Sequence, residues 1–106
     1  MAWIYLIMAG LLETIWATGL KSAAVSASLG RIAFVASTML SSLVLLGLAM
    51  KQLPLGIAYP IWTGVGSVGA LVLGIVLFGE TAGWRSALGV SFLVVGMVFI
   101  SMDTAS

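Results

Sequence analysis

Four long apolar stretches alternate with short polar breaks along the chain. The stretches cover residues 2–20, 32–50, 55–78 and 86–102, and each approaches the ~20 consecutive apolar residues with which a helix crosses a bilayer. Because the apolar runs are continuous and lack the alternation of barrel strands, they predict helices. We therefore expect an all-α membrane protein in which residues 1–106 form a single domain of four transmembrane helices.

Polar and turn-forming residues mark the three connections. Residues 22–30 are small and polar, which predicts a first loop or an extension of the flanking helix ends. Lys51 to Pro54 predicts a tight second connection, and residues 79–85 interrupt the apolar pattern before the fourth stretch.

The composition supports a lipid environment. Hydrophobic residues make up 62% of the chain and charged residues 7%, against roughly 25% charged residues in soluble domains. The chain has no cysteine and no histidine, which removes thiolate chemistry, the commonest metal ligand and the usual general base. We expect no metal, no cofactor and no enzymatic activity, and a net charge of +1 without a basic run gives no footprint for nucleic acid.

The basic residues give a weak topological signal. With four spans, Lys51 lies on one side of the membrane, while Lys21, Arg31 and Arg85 lie on the other. The positive-inside rule then favours cytoplasmic first and third loops. Because the excess is small, insertion in both orientations stays open.

Glu13 is the main candidate for function, since it is the one carboxylate inside a predicted span. A carboxylate at membrane depth is costly and by default functional. The alternative is a protonated structural carboxyl, which burial also favours. A cation that takes the place of the proton would make Glu13 a minimal exchanger.

Aromatic and small residues share helical faces with this carboxylate or with one another. On the first helix the spacing places Gly10 and Trp16 on the face of Glu13. On the third helix one stripe carries Tyr59, Trp62 and Thr63. An aromatic face beside a carboxylate can hold a cation, although ordinary packing and structural hydrogen bonds are the alternatives for these side chains.

Glycines in the third and fourth helices suggest mobility and helix pairing. The segment from Gly64 matches G-x-G-x-x-G, but no strand precedes it, so a dinucleotide site is rejected. Gly64 and Gly66, close to Pro60, instead predict a flexible or kinked segment. Gly89 and Gly96 lie seven residues apart and predict a helix-pairing surface, with packing inside the subunit as the alternative.

A single four-helix chain supplies only one binding carboxylate. We therefore expect a dimer. Transporters often combine two halves of opposite topology around a site at mid-membrane, and an inverted copy of the same chain could supply the second half. The two copies of Glu13 would titrate as a coupled pair, which limits exchange to two protons per cycle.

Three segments, residues 10–17, 53–66 and 89–96, together resemble the small multidrug resistance transporters along nearly the whole chain. The resemblance implies an antiparallel homodimer inserted in both orientations in a bacterial inner membrane, and export of cations coupled to protons. It maps the family's central glutamate to Glu13, its hinge glycines to Gly64 and Gly66, and its dimer motif to Gly89 and Gly96.

Within that family the chain resembles the guanidinium exporters, because Gly10, Trp16 and the run Trp62-Thr63-Gly64 match their pattern. The resemblance implies that guanidinium or a substituted guanidinium binds Glu13, and that Ser42 and the aromatic side chains hydrogen-bond to that carboxylate and orient it. The substrate-site residues carried over are Glu13, Trp16, Ser42, Tyr59 and Trp62.

Two positions depart from the usual pattern of this subtype. Ser101 replaces a common lysine at the end of the fourth helix, and Pro60 replaces an alanine. A changed bend at Pro60 would extend the expected substrates to alkylated or biguanide-like cations. The alternatives are a multidrug exporter of quaternary ammonium cations and one subunit of a heteromeric pair.

Overall fold

The protein is an all-α bundle of four long helices, as the apolar pattern predicts, in a computed structural model that describes residues 1–105. All four helices are long and apolar enough to cross a membrane, so the chain is a multi-pass membrane protein. The helices are α1 (Ala2–Val25), α2 (Leu29–Ala49), α3 (Leu55–Phe78) and α4 (Trp84–Ser101), and a short 3₁₀ helix covers Met102–Ala105.

The first connection is much shorter than the polar segment that predicts it. Because α1 continues to Val25 and α2 begins at Leu29, residues 26–28 alone separate the two helices. Ser28 caps α2 by accepting a hydrogen bond from the amide of Arg31 at 3.2 Å, and the guanidinium of Arg31 donates to the carbonyl of Ser26. The segment is therefore mainly a helix extension, closed by a capped turn.

The end of α3 is fixed by a glycine and an ion pair. Gly79 adopts the left-handed conformation with φ 65°, which glycine tolerates without strain. The amide of Glu80 then donates to the carbonyl of Gly74 at 3.2 Å. The carboxylate of Glu80 lies 4.0 Å from the ammonium of Lys21, so the turn after α3 is tied to the last part of α1.

The helices do not contribute equally to the packing. α1 packs against both α2 and α3, whereas α4 packs chiefly against α3. The buried core lies where α1 and α3 begin and α2 ends, and includes Leu6, Ala9, Leu46, Ala58 and Trp62. Within the described chain, α4 has no buried residue, so most of its apolar surface faces lipid or another chain.

The membrane limits of the four spans stay a prediction. The helices overlap the four apolar stretches, but α1, α2 and α4 begin or end outside them. Helix ends and bilayer boundaries are different quantities, because a helix can extend into the headgroup region.

Candidate functional site

Glu13 lies on the face of α1 that packs against α3. Its side chain occupies the space beside Gly66, where an added Cβ would contact Oε1 and lie 2.8 Å from Cγ. Within residues 1–105, the buried Oε1 of Glu13 has no hydrogen-bond partner. Buried polar atoms are nearly always hydrogen-bonded, so this oxygen is an acceptor open to a proton or a ligand.

The carbonyl of Ala9, one turn before Glu13, collects hydrogen bonds from two other helices. The hydroxyl of Ser42 on α2 donates to this carbonyl at 2.7 Å. The indole of Trp62 on α3 donates to the same carbonyl at 3.2 Å and to the hydroxyl oxygen of Ser42 at 3.0 Å. Since Ser42 and Trp62 are buried, this network fixes α2 and α3 against α1 beside the carboxylate.

These bonds differ from the arrangement that the family resemblance implies. Ser42 and Trp62 were expected to orient Glu13, but both donate to the Ala9 carbonyl instead. A direct orienting bond from either side chain to Glu13 stays a prediction.

Two aromatic side chains from α3 lie together. The ring centroids of Tyr59 and Trp62 are 5.4 Å apart, and the ring planes are tilted by 58°. Tyr59 is half-exposed. On α1, the indole nitrogen of Trp16, one turn after Glu13, is buried and has no hydrogen-bond partner in the part of the chain that the structure describes. Trp16 thus has an unused donor one helical turn from the unused acceptor of Glu13.

Gly10 allows α1 and α3 to approach closely. An added Cβ at Gly10 would lie 2.7 Å from Cβ of Val65 and 3.6 Å from the carbonyl oxygen of Trp62. Small residues permit such contacts between membrane helices. Gly10 therefore shapes the contact between α1 and α3 one turn before Glu13.

Thr63 and Gly64 face away from this contact, towards α4. Both line an open groove of about 550 Å³ between α3 and α4. The hydroxyl of Thr63 is buried and, within the described residues, has no hydrogen-bond partner. An added Cβ at Gly64 would contact the sulfur of Met97. The structure thus separates Thr63 from the face on which Trp62 and Gly66 meet α1.

The other wall of the groove contains the two glycines predicted for helix pairing. Gly89 and Gly96 both line it, and an added Cβ at either would meet no atom of the described chain within 4 Å. Their pairing surface is open in the single chain. α3 continues as one helix across Pro60, Gly64 and Gly66, so the hinge stays a prediction.

Sequence reasoning missed Thr14, Met97 and the carbonyl of Ala9. Thr14 is buried, and its hydroxyl lies 3.5 Å from the carbonyl oxygen of Gly66. Its position next to Glu13 was a usable signal, because a hydroxyl inside an apolar span needs an acceptor. A backbone carbonyl and a packing methionine leave no such signal in a single sequence.

Comparison with known proteins gives consistent matches along the chain. The family described as Small Multidrug Resistance protein matches residues 1–95. A relative from Escherichia coli O6:H1, named Guanidinium exporter, is 43% identical over 104 residues, covering 98% of this chain and 99% of the relative. Relatives with the same name from Yersinia pseudotuberculosis and Salmonella typhimurium are 44% and 43% identical, and cover 96% and 97% of this chain and 98% of each relative.

These matches extend over the segments that supply Glu13, the α3 aromatics and the α4 glycines. A four-helix apolar bundle with these matches is consistent with a protein of the bacterial inner membrane. With most of its length matched by the family and by relatives above 40% identity, the chain belongs to the small multidrug resistance family.

Proposed function

We propose that this protein is a proton-coupled antiporter that exports guanidinium and small guanidinyl cations, and that it works as an antiparallel homodimer. The observation that carries the proposal is the carboxyl group of Glu13. Its buried Oε1 has no partner among the described residues, although unpaired acceptors at membrane depth are costly.

Exchange follows from the cost of leaving that carboxylate charged. Either a proton or a bound cation neutralises Glu13, but the two compete for the same oxygens. A neutral site can move through the low-dielectric interior at much lower cost than a charged one. Reorientation is then allowed with a proton or a cation bound and disfavoured when the site is empty, which couples the two fluxes.

The chemistry of the site favours a cation that donates hydrogen bonds. Guanidinium is planar, presents N–H donors that match a carboxylate, and stacks on aromatic rings. Glu13 supplies the acceptor, and Trp16 supplies an aromatic surface one turn later on α1. Trp62 and Tyr59 supply two more on α3, where Tyr59 lies on the side that lines the groove with α4. A quaternary ammonium ion has no N–H group and would leave Oε1 without a hydrogen bond. The relatives named Guanidinium exporter agree with this choice.

The open face of α4 supports the homodimer. No residue of α4 is buried among those that the structure describes, and Phe92 and Phe99 are 69% and 68% exposed. Gly89 and Gly96 leave room on the same helix, as close helix pairing requires. A second copy in the opposite orientation would cover this surface and add a second Glu13.

Transport by the purified chain tests the proposal. Proteoliposomes on a solid-supported membrane receive guanidinium, a monoalkylated guanidinium or tetrapropylammonium, and the capacitive current is recorded. We expect guanidinium currents that Glu13→Gln abolishes, because glutamine cannot exchange a proton for a cation. Glu80→Gln is the matched control, since it removes a carboxylate that lies outside the helices and should retain the current.

Three results would overturn parts of the proposal. Wild-type coupling in Glu13→Gln would refute the mechanism. Currents with tetrapropylammonium alone would assign the protein to quaternary ammonium export. Silence of the purified chain with all three cations would contradict the homodimer and point to a heteromeric pair.

A further inference from the structure

Thr14 is a buried polar residue that the proposed cation site does not use. Thr14 and Ser42 are the two polar side chains that are buried, with 6% and 0% exposure, in the described part of the chain. Ser42 belongs to the network around the Ala9 carbonyl. Thr14 follows Glu13 directly on α1, and its hydroxyl does not take part in the network around the Ala9 carbonyl.

The hydroxyl of Thr14 lies between two backbone carbonyls on different helices. It is 3.3 Å from the oxygen of Gly10 on α1 and 3.5 Å from the oxygen of Gly66 on α3. A threonine hydroxyl has one proton to donate, so it can serve one carbonyl fully or share the proton between both. If α3 moves, the proton keeps an acceptor on α1, and no buried donor is left unpaired.

Gly66 is therefore contacted by two consecutive residues of α1. The carboxyl of Glu13 occupies the space beside its Cα, and the hydroxyl of Thr14 approaches its carbonyl. Gly69 accommodates the same threonine, because an added Cβ there would contact Oγ1 and lie 2.8 Å from Cγ2. Thr14 therefore contacts α3 at both Gly66 and Gly69, next to the carboxylate of Glu13.

We infer that Thr14 is a positioning residue, which holds Gly66 of α3 against the carboxyl group of Glu13 through a hydrogen bond to the Gly66 carbonyl. This role rests on the proposed cation exchange at Glu13. In this role Thr14 contacts neither the transported cation nor the proton that is exchanged at Glu13. It sets the distance between the carboxylate and α3, the helix that contains Tyr59 and Trp62.

The carbonyl carbon of Gly66 can be observed selectively. Of the 13 glycines, Gly66 alone precedes a serine. A sample with [1-¹³C]glycine and [¹⁵N]serine therefore gives a single carbonyl–nitrogen NMR cross-peak, from Gly66 and Ser67. When a carbonyl oxygen loses a hydrogen bond that it accepts, the resonance of its carbon shifts upfield. We expect Thr14→Val to move this peak upfield and Thr14→Ser, which keeps the hydroxyl, to leave it close to the wild-type position.

Thr18→Val is the matched control for the hydroxyl. Thr18 lies one turn later on α1 and donates to the carbonyl of Thr14 on its own helix at 2.7 Å. Removing it deletes a hydroxyl of the same size whose hydrogen bond stays within α1. We expect Thr18→Val to leave the Gly66 peak and the guanidinium affinity unchanged.

The functional readout is the guanidinium concentration that gives half-maximal current. We expect Thr14→Val to raise it about threefold, the factor given by a typical hydrogen bond between membrane helices. Thr14→Ser should restore the wild-type value, which a purely steric role of the threonine does not explain.

Two outcomes overturn the inference. An unmoved Gly66 peak in Thr14→Val would refute the hydrogen bond, and a moved peak with unchanged affinity would reduce Thr14 to a structural residue. If guanidinium gives no current but tetrapropylammonium does, the proposed substrate fails and the same variants decide the role of Thr14 with that cation. Silence with both cations would refute the proposed function, and the Gly66 peak would then test Thr14 by itself: an unmoved peak in Thr14→Val refutes the hydrogen bond, and a moved peak supports it.

Discussion

Replacing Gly66 by alanine places a methyl group where the carboxyl group of Glu13 lies. The new Cβ would contact Oε1 and come within 2.8 Å of Cγ, whereas carbon atoms in ordinary contact are ~3.5–4.0 Å apart. The glutamate side chain must therefore move by about 1 Å to restore normal contact. The substitution tests whether Gly66 is needed for this contact or for flexibility of α3.

Opposing effects set the change in stability. Overpacking costs ~1–3 kcal/mol, while replacing a glycine inside a helix by alanine stabilises by ~0.5–1 kcal/mol. We expect Gly66→Ala to lower the unfolding free energy by about 1–2 kcal/mol. Moving a binding group by about 1 Å reduces turnover by as much as ~10²-fold, so the guanidinium current should fall about tenfold or more.

Unfolding by sodium dodecyl sulfate in detergent micelles measures the stability change. Gly47→Ala in α2 is the control, because an added Cβ there meets no atom of the described chain within 4 Å. That variant should be more stable by ~0.5–1 kcal/mol. In a Glu13→Ala background the obstructing side chain is absent, and Gly66→Ala should then become stabilising by a similar amount.

The background variant decides between the two roles of Gly66. If Gly66→Ala destabilises equally with and without the Glu13 side chain, the contact is not responsible. Reduced flexibility of α3 would then account for the loss of activity.

Two further predictions concern the contacts around the site. Ser42→Ala removes the hydroxyl that donates to the carbonyl of Ala9 and accepts from the indole of Trp62. It should lower the unfolding free energy by ~0.6–1.7 kcal/mol in the same dodecyl sulfate titration. An unchanged unfolding free energy would show that the network adds no stability. Lys21→Gln should cost less than ~1 kcal/mol, and less again in high salt, because its pair with Glu80 is half-exposed; a larger loss that salt does not reduce would contradict a surface pair.

The fold was predictable because the lengths and hydropathy of the apolar stretches determine the number and approximate positions of the helices. Four continuous apolar stretches give four helices whatever the side chains do in detail. The helix ends were less predictable. Ser28 caps α2, so α2 begins inside the segment of residues 22–30, whose serines and alanines are also typical of a loop. Caps depend on backbone geometry, which a count of apolar residues does not contain.

The sequence predicts which residues of the candidate site share a helix face, but it does not predict which atoms they contact on other helices. Gly10, Glu13 and Trp62 lie along the contact between α1 and α3, as helical spacing allows. Thr63 lies only one residue from Trp62 but faces α4, because consecutive helical residues are about 100° apart. Pairing of Trp62 with the Ala9 carbonyl depends on the relative positions of two helices. Because the two residues are 53 positions apart in the sequence, no local pattern predicts their contact.

The unequal helix lengths make bilayer thickness a variable for this protein. α1 and α3 contain 24 residues each and α4 contains 18, which correspond to about 36 Å and about 27 Å. Against a hydrocarbon core of about 30 Å, the long helices can tilt, whereas α4 has no length to spare. Longer acyl chains therefore strain α4 first. Because α4 packs chiefly against α3, a change in lipid chain length alters the groove between these two helices before it alters the surroundings of the Glu13 carboxylate.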